Sequence, residues 1–315
     1  MPLQPAQPRE PDLVVPGDGR TLLAFLEQAL GAVAATLIAQ GAIWVDGVRC
    51  RSGDLVPQAG AVVRIRRPPP EHAQRVVFDA GRVLFEDDDL IAVDKPAGVY
   101  VDATPWDADN HLRGALHEWL AARDGHKPHL HLVHRLDRDT SGVLLFSKNP
   151  AVNPELQRAF VQSRVSKTYL AHCAGTWHSE QLELVTGHGR GRHGMLRIYP
   201  AGEVGQALPG KQVVKRMQTR FVVARREDDA MLVWAYPVTG RTHQIRLHLA
   251  LLGCPLVGDT KYGGPLVWHG ARVVAHRLHA ARLELAHPGS REPVRVEAPL
   301  PAWAEPVLRR SADHL

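Results

Sequence analysis

Residues 131–148 read HLVHRLDRDTSGVLLFSK, and the pattern changes twice within that stretch. Leu130 and Leu132 alternate with His131 as on a half-buried strand, whereas Val143, Leu144, Leu145 and Phe146 form an unbroken apolar run of the kind a fully buried strand carries. Between them, 135–142 is a polar corner of Arg, Asp, Thr, Ser and Gly, the composition of a tight connection. Asp137 therefore sits on a bend held by two strands. An aspartate in a turn most often caps backbone amides or faces water. Here Arg135 and Arg138 flank it, which suits a carboxylate that must stay ionised to act as a nucleophile.

Working outward, 83–85 and 90–93 read as paired strands across the acidic turn 86–89. Asn153 followed by Pro154 predicts a helix start, with an N-cap and then proline at the first helical position, and Leu156 and Phe160 share its face. The stretch 242–252 predicts another helix, with Ile245, Leu249 and Leu252 on one stripe and Gly253 and Pro255 ending it. Strands with intervening helices and no regular βαβ rhythm indicate an α+β domain over 76–305.

Nearer the start, 1–19 is rich in Pro and polar residues and predicts a mobile tail. Leu22, Phe25, Leu26, Leu30, Val33 and Leu37 recur at helical spacing around Gly31, which predicts two short helices over 21–40. Strands at 42–45 and 62–65, with an Asp46-Gly47 turn before Val48, complete a small α+β unit over 20–67. Pro68-Pro69-Pro70 opens a stiff linker, 68–75, and a polar tail occupies 306–315.

With 315 residues, 34.7 kDa and 44% hydrophobic content, the chain can bury a sizeable core, which excludes an intrinsically disordered protein. Its formal charge of +5 and pI near 9.3 favour an anionic partner. Only seven of the 38 basic residues are lysines, and arginine forks suit phosphate and base edges, although a GC-biased genome gives the same skew. Across 187–220, Arg190, Arg192, Arg197, Lys211, Lys215, Arg216 and Arg220 stand against Glu203 alone, a larger positive excess than that of the whole chain. Within it GHGRGRHG, 187–194, predicts a loop whose flexible backbone amides suit a phosphate track.

Other classes lose ground. Cys50, Cys173 and Cys254 are too scattered for a disulfide framework or a CxxC knuckle, so a reducing compartment is expected. The first residues lack the basic start and apolar run of a secretory signal. The longest apolar stretch, 29–39, is about half of the roughly 20 residues that span a bilayer, so no membrane partner is expected. GQALPGK at 205–211 is one residue short of a P-loop, and Gln212 replaces the magnesium-binding hydroxyl. His126, His129, His131 and His134 lack a nearby carboxylate or cysteine to complete a metal site, so no metal is expected.

The segment HRLDRDTSG resembles the central motif of the RluA-type pseudouridine synthases, and three further segments fit that family in order. DKPAG at 94–98 resembles its early structural motif, KTY at 167–169 the one carrying its active-site tyrosine, and GRTHQIRLH at 240–248 the one carrying its arginine. The likeness covers 76–305. It implies a mixed, largely antiparallel sheet with flanking helices, and an enzyme that isomerises uridine to pseudouridine in ribosomal or transfer RNA by flipping the base out, with no cofactor. It further implies that Asp137 is the catalytic carboxylate, that Tyr169 lines the uracil pocket and can relay a proton, and that Arg241 pairs with Asp137. Arg135 is then expected to contact RNA near the extruded nucleotide, with Arg138, Lys167, Arg190 and Arg192 as further RNA contacts. Arg246, on the first turns of a helix, reads about as well as a solvated surface charge as it does as an RNA contact, and is left outside the catalytic set. Asp139, in a common turn composition, is assigned a structural role.

Residues 20–67 are similar in outline to the small RNA-binding module of ribosomal protein S four. Arg49, Arg51, Arg64, Arg66 and Arg67 can give it a basic face, while Ala32, Val33, Ala34 and Ala35 depart from the small polar and basic residues usual there. The expectation is thus a cytoplasmic, monomeric enzyme acting on RNA. The alternative is an RNA-binding or chaperone protein that keeps the scaffold and has lost the reaction.

Overall fold

In the computed structural model, which describes residues 11–67, 75–190 and 196–304, the predicted break at Gly31 separates two helices. The Thr21 side chain accepts a hydrogen bond from Ala24 N and starts α1 (Leu22–Leu30), which Gly31 ends at φ 68°. Helix α2 (Val33–Gln40) stops at Gly41 in the left-handed region. Strands β1 (Leu13–Val14), β2 (Ile43–Val45), β3 (Val48–Cys50) and β4 (Val62–Ile65) form an antiparallel sheet in the order β1-β4-β2-β3. Asp46 and Gly47 both take positive φ, the pattern of a two-residue hairpin turn between β2 and β3. Leu22, Leu26, Ala34, Leu37, Ile38, Ile43 and Val63 bury the apolar faces of helices and sheet against one another.

Two boundaries differ from expectation. β1 pairs with β4 and Val15 is buried, so the predicted tail 1–19 is part of the sheet by residue 13. Residues 1–10, 68–74 and 305–315, which hold the rest of that tail, most of the linker and the C-terminal tail, lie outside the described residues. The chain also divides into two compact units in which 100–127 joins 2–78, leaving 79–99 and 128 onward as the larger unit. The expected single run 76–305 is therefore interrupted. The cause is a set of contacts that no local pattern marks. Trp44 Nε1 donates to Pro105 O, 61 positions away, at 2.8 Å. Ala108 N donates to Gln40 O, Arg51 pairs with Asp109, and the Phe78 and Trp119 rings pack 5.1 Å apart. Helix α3 (Leu112–Asp124) belongs to this unit, and Gly114 N donates to the imidazole of its N-cap, His111.

The larger unit is α+β, built on an eleven-stranded sheet. Its strands are β5 (Val83–Glu86), β6 (Leu90–Lys95), β7 (His131–Leu132), β8 (Ser141–Ser147), β9 (Ser166–Ala174), β10 (Gln181–Arg190) and β11 (Leu196–Tyr199). Beyond the hairpin of β12 (Ala207–Leu208) and β13 (Gln212–Val213) come β14 (Lys215–Arg226) and β15 (Ala230–Pro237). A second hairpin, β16 (Val267–Trp268) and β17 (Ala271–Arg272), precedes β18 (Leu278–Ala286) and β19 (Pro293–Glu297). The order is β11-β10-β14-β15-β9-β18-β8-β6-β5, with β7 beside β8 and β19 beside β18. Among the described residues, only the β8–β18 pairing is parallel.

Helix α4 (Asn153–Val161) has Pro154 in its first turn as predicted, but Val152 takes the cap position and the Asn149 side chain caps the short turn before it. Helix α5 (Gln244–Leu251) lies on β14 and β15, and Ile245 and Leu249 share a core with Ala171, Phe221, Val233 and Leu278. It starts two residues later than predicted because His243 is left-handed at φ 57°. The described residues of 187–220 are mostly strand rather than flexible loop, and the part of GHGRGRHG from 191 to 194 lies outside the described residues. Gly187 and Gly189 are buried within β10, where a Cβ would strike Val214 and Leu208 respectively, so these glycines provide space and not loose amides. Among the described residues no helix is long and apolar enough to cross a membrane.

Candidate active site

The Asp137 bend is fixed from two sides. Lys95, fully buried at the end of β6, donates from Nζ to the carbonyls of Pro96, Arg138 and Thr140 at 2.7, 2.7 and 2.8 Å. Burial pushes this lysine down to about 7, while the three carbonyl acceptors favour its ammonium form. Gly98 N donates to Arg138 O as well, so the DKPAG segment grips the backbone on both sides of Asp139. From the opposite side, Thr140 Oγ1 meets His276 Nε2 at 2.9 Å and Ser141 Oγ meets His279 Nδ1 at 2.8 Å. Gly142, at φ 103°, lets β8 approach β18 so closely that a Cβ would run into the Ala280 carbonyl. Glycine is therefore required where the bend enters β8.

The Asp137 side chain is 25% exposed, and its Oδ2 accepts a hydrogen bond from Arg246 Nη1 at 2.8 Å. The other edge of that guanidinium forks onto buried Asp259, with Nε to Oδ2 at 2.7 Å and Nη2 to Oδ1 at 2.8 Å. The Tyr262 ring lies 5.0 Å from the guanidinium carbon. Burial alone would raise the Asp137 carboxyl, but His243 and Arg246 nearby, with the Arg246 hydrogen bond, hold it below the ordinary carboxylate range. Burial depresses His243 to about 4, so at neutral pH Arg246 is the charge that keeps Asp137 ionised. Arg246 itself is raised despite its desolvation, chiefly by Asp259. A carboxylate that is ionised, rigidly mounted and still reachable can serve as a nucleophile or as a counter-charge.

Tyr169 stands on β9, opposite Ala280 on one side and Ala235 on the other. Burial, and then the charge of Asp137, raise its phenol above the ordinary value, so it keeps its proton at neutral pH. Lys167 is half-buried on the same strand, and burial lowers its ammonium.

The arginine on Asp137 is a correction to the expectation from sequence. Arg241 Nε donates to the carbonyl of Arg216 at 3.1 Å, and Arg246 takes the place expected for Arg241. The left-handed turn at His243 leaves Arg241 ahead of the helix, while Arg246 projects from α5 toward the bend. The structure supplies the reason. From Gln244 to Leu249 every residue of α5 is buried, and Arg246 is the only Lys or Arg in QIRLHLAL. A permanent cation in a helix buried all round must meet carboxylates. Sequence reasoning also missed the roles of Asp259 and Lys95, because the burial of Asp259 against Arg246 and the reach of Lys95 to the Arg138 and Thr140 carbonyls are set by the fold.

Arg138 pairs with Asp139 at 2.7 Å, so this neighbour of Asp137 also restrains the bend, and Asp139 has the structural role assigned to it. Arg135 is exposed on the bend and Arg190 is exposed at the end of β10. Arg192 lies outside the described residues. Among the described residues no group of three or more His, Cys, Asp or Glu side chains is placed to hold a metal ion.

Residues 89–251 match the family model described as RNA pseudouridylate synthase. RNA pseudouridine synthase 1 of Oryza sativa subsp. japonica is 38% identical, across 81% of this chain and 83% of that one. Ribosomal large subunit pseudouridine synthase C of Escherichia coli (strain K12) is 34% identical, across 81% of this chain and 77% of that one. Among solved structures, human RNA pseudouridylate synthase domain containing 4 superposes with a TM-score of 0.59 at 23% identity, covering 72% of this chain and 92% of that one.

Proposed function

Since this chain belongs to the RNA pseudouridylate synthase family and is an isomerase acting on RNA, we propose that Asp137 is the carboxylate through which it converts uridine to pseudouridine. The reaction breaks the bond from uracil N1 to ribose C1′, turns the base and joins C5 to C1′. C5 gives up its proton and N1 gains one, so atoms and electrons balance without a redox partner or group donor. A carboxylate near C1′ either attacks a reacting carbon and is later released, or opposes the positive charge that builds on the sugar. The target uridine must leave its stack to reach Asp137, with Tyr169 as the aromatic wall beside it and its protonated phenol able to pass a proton.

The observation that carries this reading is the Asp137 carboxylate held ionised by Arg246 on a clamped bend, with a quarter of its surface open. Arg135, Lys167 and Arg190 are proposed as RNA contacts, with Arg241 beside Arg216 extending the basic rim. The small unit, similar to the ribosomal protein S four module, is proposed to grip RNA flanking the target. The name of the E. coli relative supports ribosomal RNA as the substrate, and transfer RNA presents the same chemistry. A cytoplasmic location is proposed with that substrate.

Pseudouridine mapping across total RNA from cells with and without the gene tests substrate and activity together. Asp137→Asn keeps the size of the side chain and removes its charge. Cells carrying only this variant should lack the same pseudouridines while the protein still folds and binds RNA. Normal modification by Asp137→Asn would overturn the assignment.

A further inference from the structure

Arg246 accounts for one oxygen of Asp137, and the other faces His243. His243 Nε2 lies 3.8 Å from Asp137 Oδ1, longer than a hydrogen bond, while its Nδ1 lies 2.7 Å from the hydroxyl of Tyr262. The imidazole and phenol rings meet edge-on, 5.6 Å apart at 78°. His243 holds a left-handed backbone that a non-glycine residue adopts rarely, and its side chain makes no capping bond to α5. Tyr262 closes the short turn Thr260–Tyr262 that directly follows Asp259. One segment, 259–262, thus supports both groups that face the carboxylate: Asp259 holds Arg246, and Tyr262 holds His243.

The direction of the Tyr262 hydrogen bond decides what Asp137 meets. Burial pushes the Tyr262 phenol up to about 12 and His243 down to about 4, so at neutral pH a neutral hydroxyl faces a neutral imidazole. If Nδ1 carried the proton, the lone pair of Nε2 would point at an anionic oxygen, which is repulsive. If the phenol donates to Nδ1, the proton sits on Nε2 and points at Oδ1.

We propose that the 259–262 turn orients the Asp137 carboxylate through two arms, with His243 as a positioning residue whose Nε2–H, fixed by the Tyr262 hydroxyl, keeps Oδ1 turned to the substrate. The two oxygens are thereby different. Oδ2 is committed to Arg246, and Oδ1 has a neutral donor close enough to steer it and too far to occupy it. The inference rests on Asp137 being the carboxylate that meets the substrate.

The test compares His243→Asn, Tyr262→Phe and the double variant of the full chain, with Asp137→Asn alongside. The substrate is total RNA from cells lacking the gene, grown on uridine tritiated at C5, and tritium release reports turnover. Asparagine tolerates the left-handed backbone at 243, and phenylalanine keeps the ring under Arg246 while removing only the hydroxyl. Each single variant should lose on the order of tenfold to a hundredfold in kcat, at unchanged apparent KM and melting temperature. The double variant should be no worse than His243→Asn alone, because the phenol acts only through the imidazole. Wild-type kcat in both single variants, losses that multiply in the double, or losses that track a lowered melting temperature would each overturn the inference. Should His243→Asn fail to fold, Tyr262→Phe carries the test. If Asp137→Asn is inactive while His243→Asn and Tyr262→Phe are normal, only the positioning role fails. If Asp137→Asn turns over normally, the reading beneath it fails.

Discussion

The larger unit and the smaller one both join arginines to aspartates, in opposite surroundings. Around the bend, Arg246 keeps 8% of its side-chain surface and Asp259 1%, and a buried lysine is enclosed by three carbonyls. In the small unit, Arg51 and Asp109 pair with 50% and 61% of their side chains in water, and Arg64 and Asp12 with 46% each. Arg49 stacks on Trp44 with its guanidinium carbon 4.9 Å from the ring centre. The same residue types therefore act as rigid fixtures in one place and as exchangeable surface charge in the other. Burial, more than the number of charges, separates them, because a buried ion left without its partner has no water to turn to.

Breaking the buried side should have the largest effect. Arg246→Met leaves Asp137 and Asp259 without their shared cation, so urea denaturation should show a loss of about 3–5 kcal/mol, with pseudouridine formation abolished. Arg246→Lys, which keeps the charge and loses the fork, should fall between this variant and wild type. The pH profile sharpens the point. The folded-state value of Asp137 is depressed, so its contribution to stability is present above the ordinary carboxylate value and lost as pH falls through the lowered one. In Arg246→Lys, which keeps some activity but holds Asp137 less closely against the effect of burial, the acid limb of kcat/KM should move to higher pH.

Next in size is Lys95→Met, which keeps the apolar stem and strips the donor from three carbonyls. A loss of about 1–3 kcal/mol in urea denaturation is expected, together with reduced kcat as the bend loosens. Wild-type kcat would show that the lysine cage does not hold the bend in place. On the exposed side the effects are smaller and of another kind. Arg190→Ala should raise the apparent KM for RNA and reduce the slope of log affinity against log salt by about 1, as measured by filter binding across salt concentrations. Arg64→Ala, which breaks a surface pair, should change stability by no more than about 1 kcal/mol in the same urea experiment.

What could be read in the chain follows the same division. The strands around Asp137, the helix break at Gly31 and the Asp46-Gly47 turn are encoded by neighbours in sequence, and the structure has each of them. The partner of Asp137 was not legible in that way, because Arg246 lies 109 positions away and its own anchor, Asp259, another 13 beyond. Period and stripe placed Ile245 and Leu249 on a buried face, but burial of the whole of 244–249 depends on strands far away in the chain. His243 was hidden by a backbone conformation, since no local rule required a left-handed residue at the mouth of an otherwise regular helix. The membership of 100–127 in the smaller unit has the same origin, in contacts such as Trp44 to Pro105 that link segments with no shared pattern.

One side of the bend is braced late. His276 just ahead of β18, and His279 and the Ala280 carbonyl within it, support Thr140, Ser141 and Gly142 near the middle of the chain. A growing polypeptide is consequently expected to emerge from the ribosome with its acid braced only from the DKPAG side until almost all of the sheet has been translated. Full bracing therefore arrives at one late moment of synthesis, and a product terminated before residue 276 should carry the acidic residue on a bend held from one side alone.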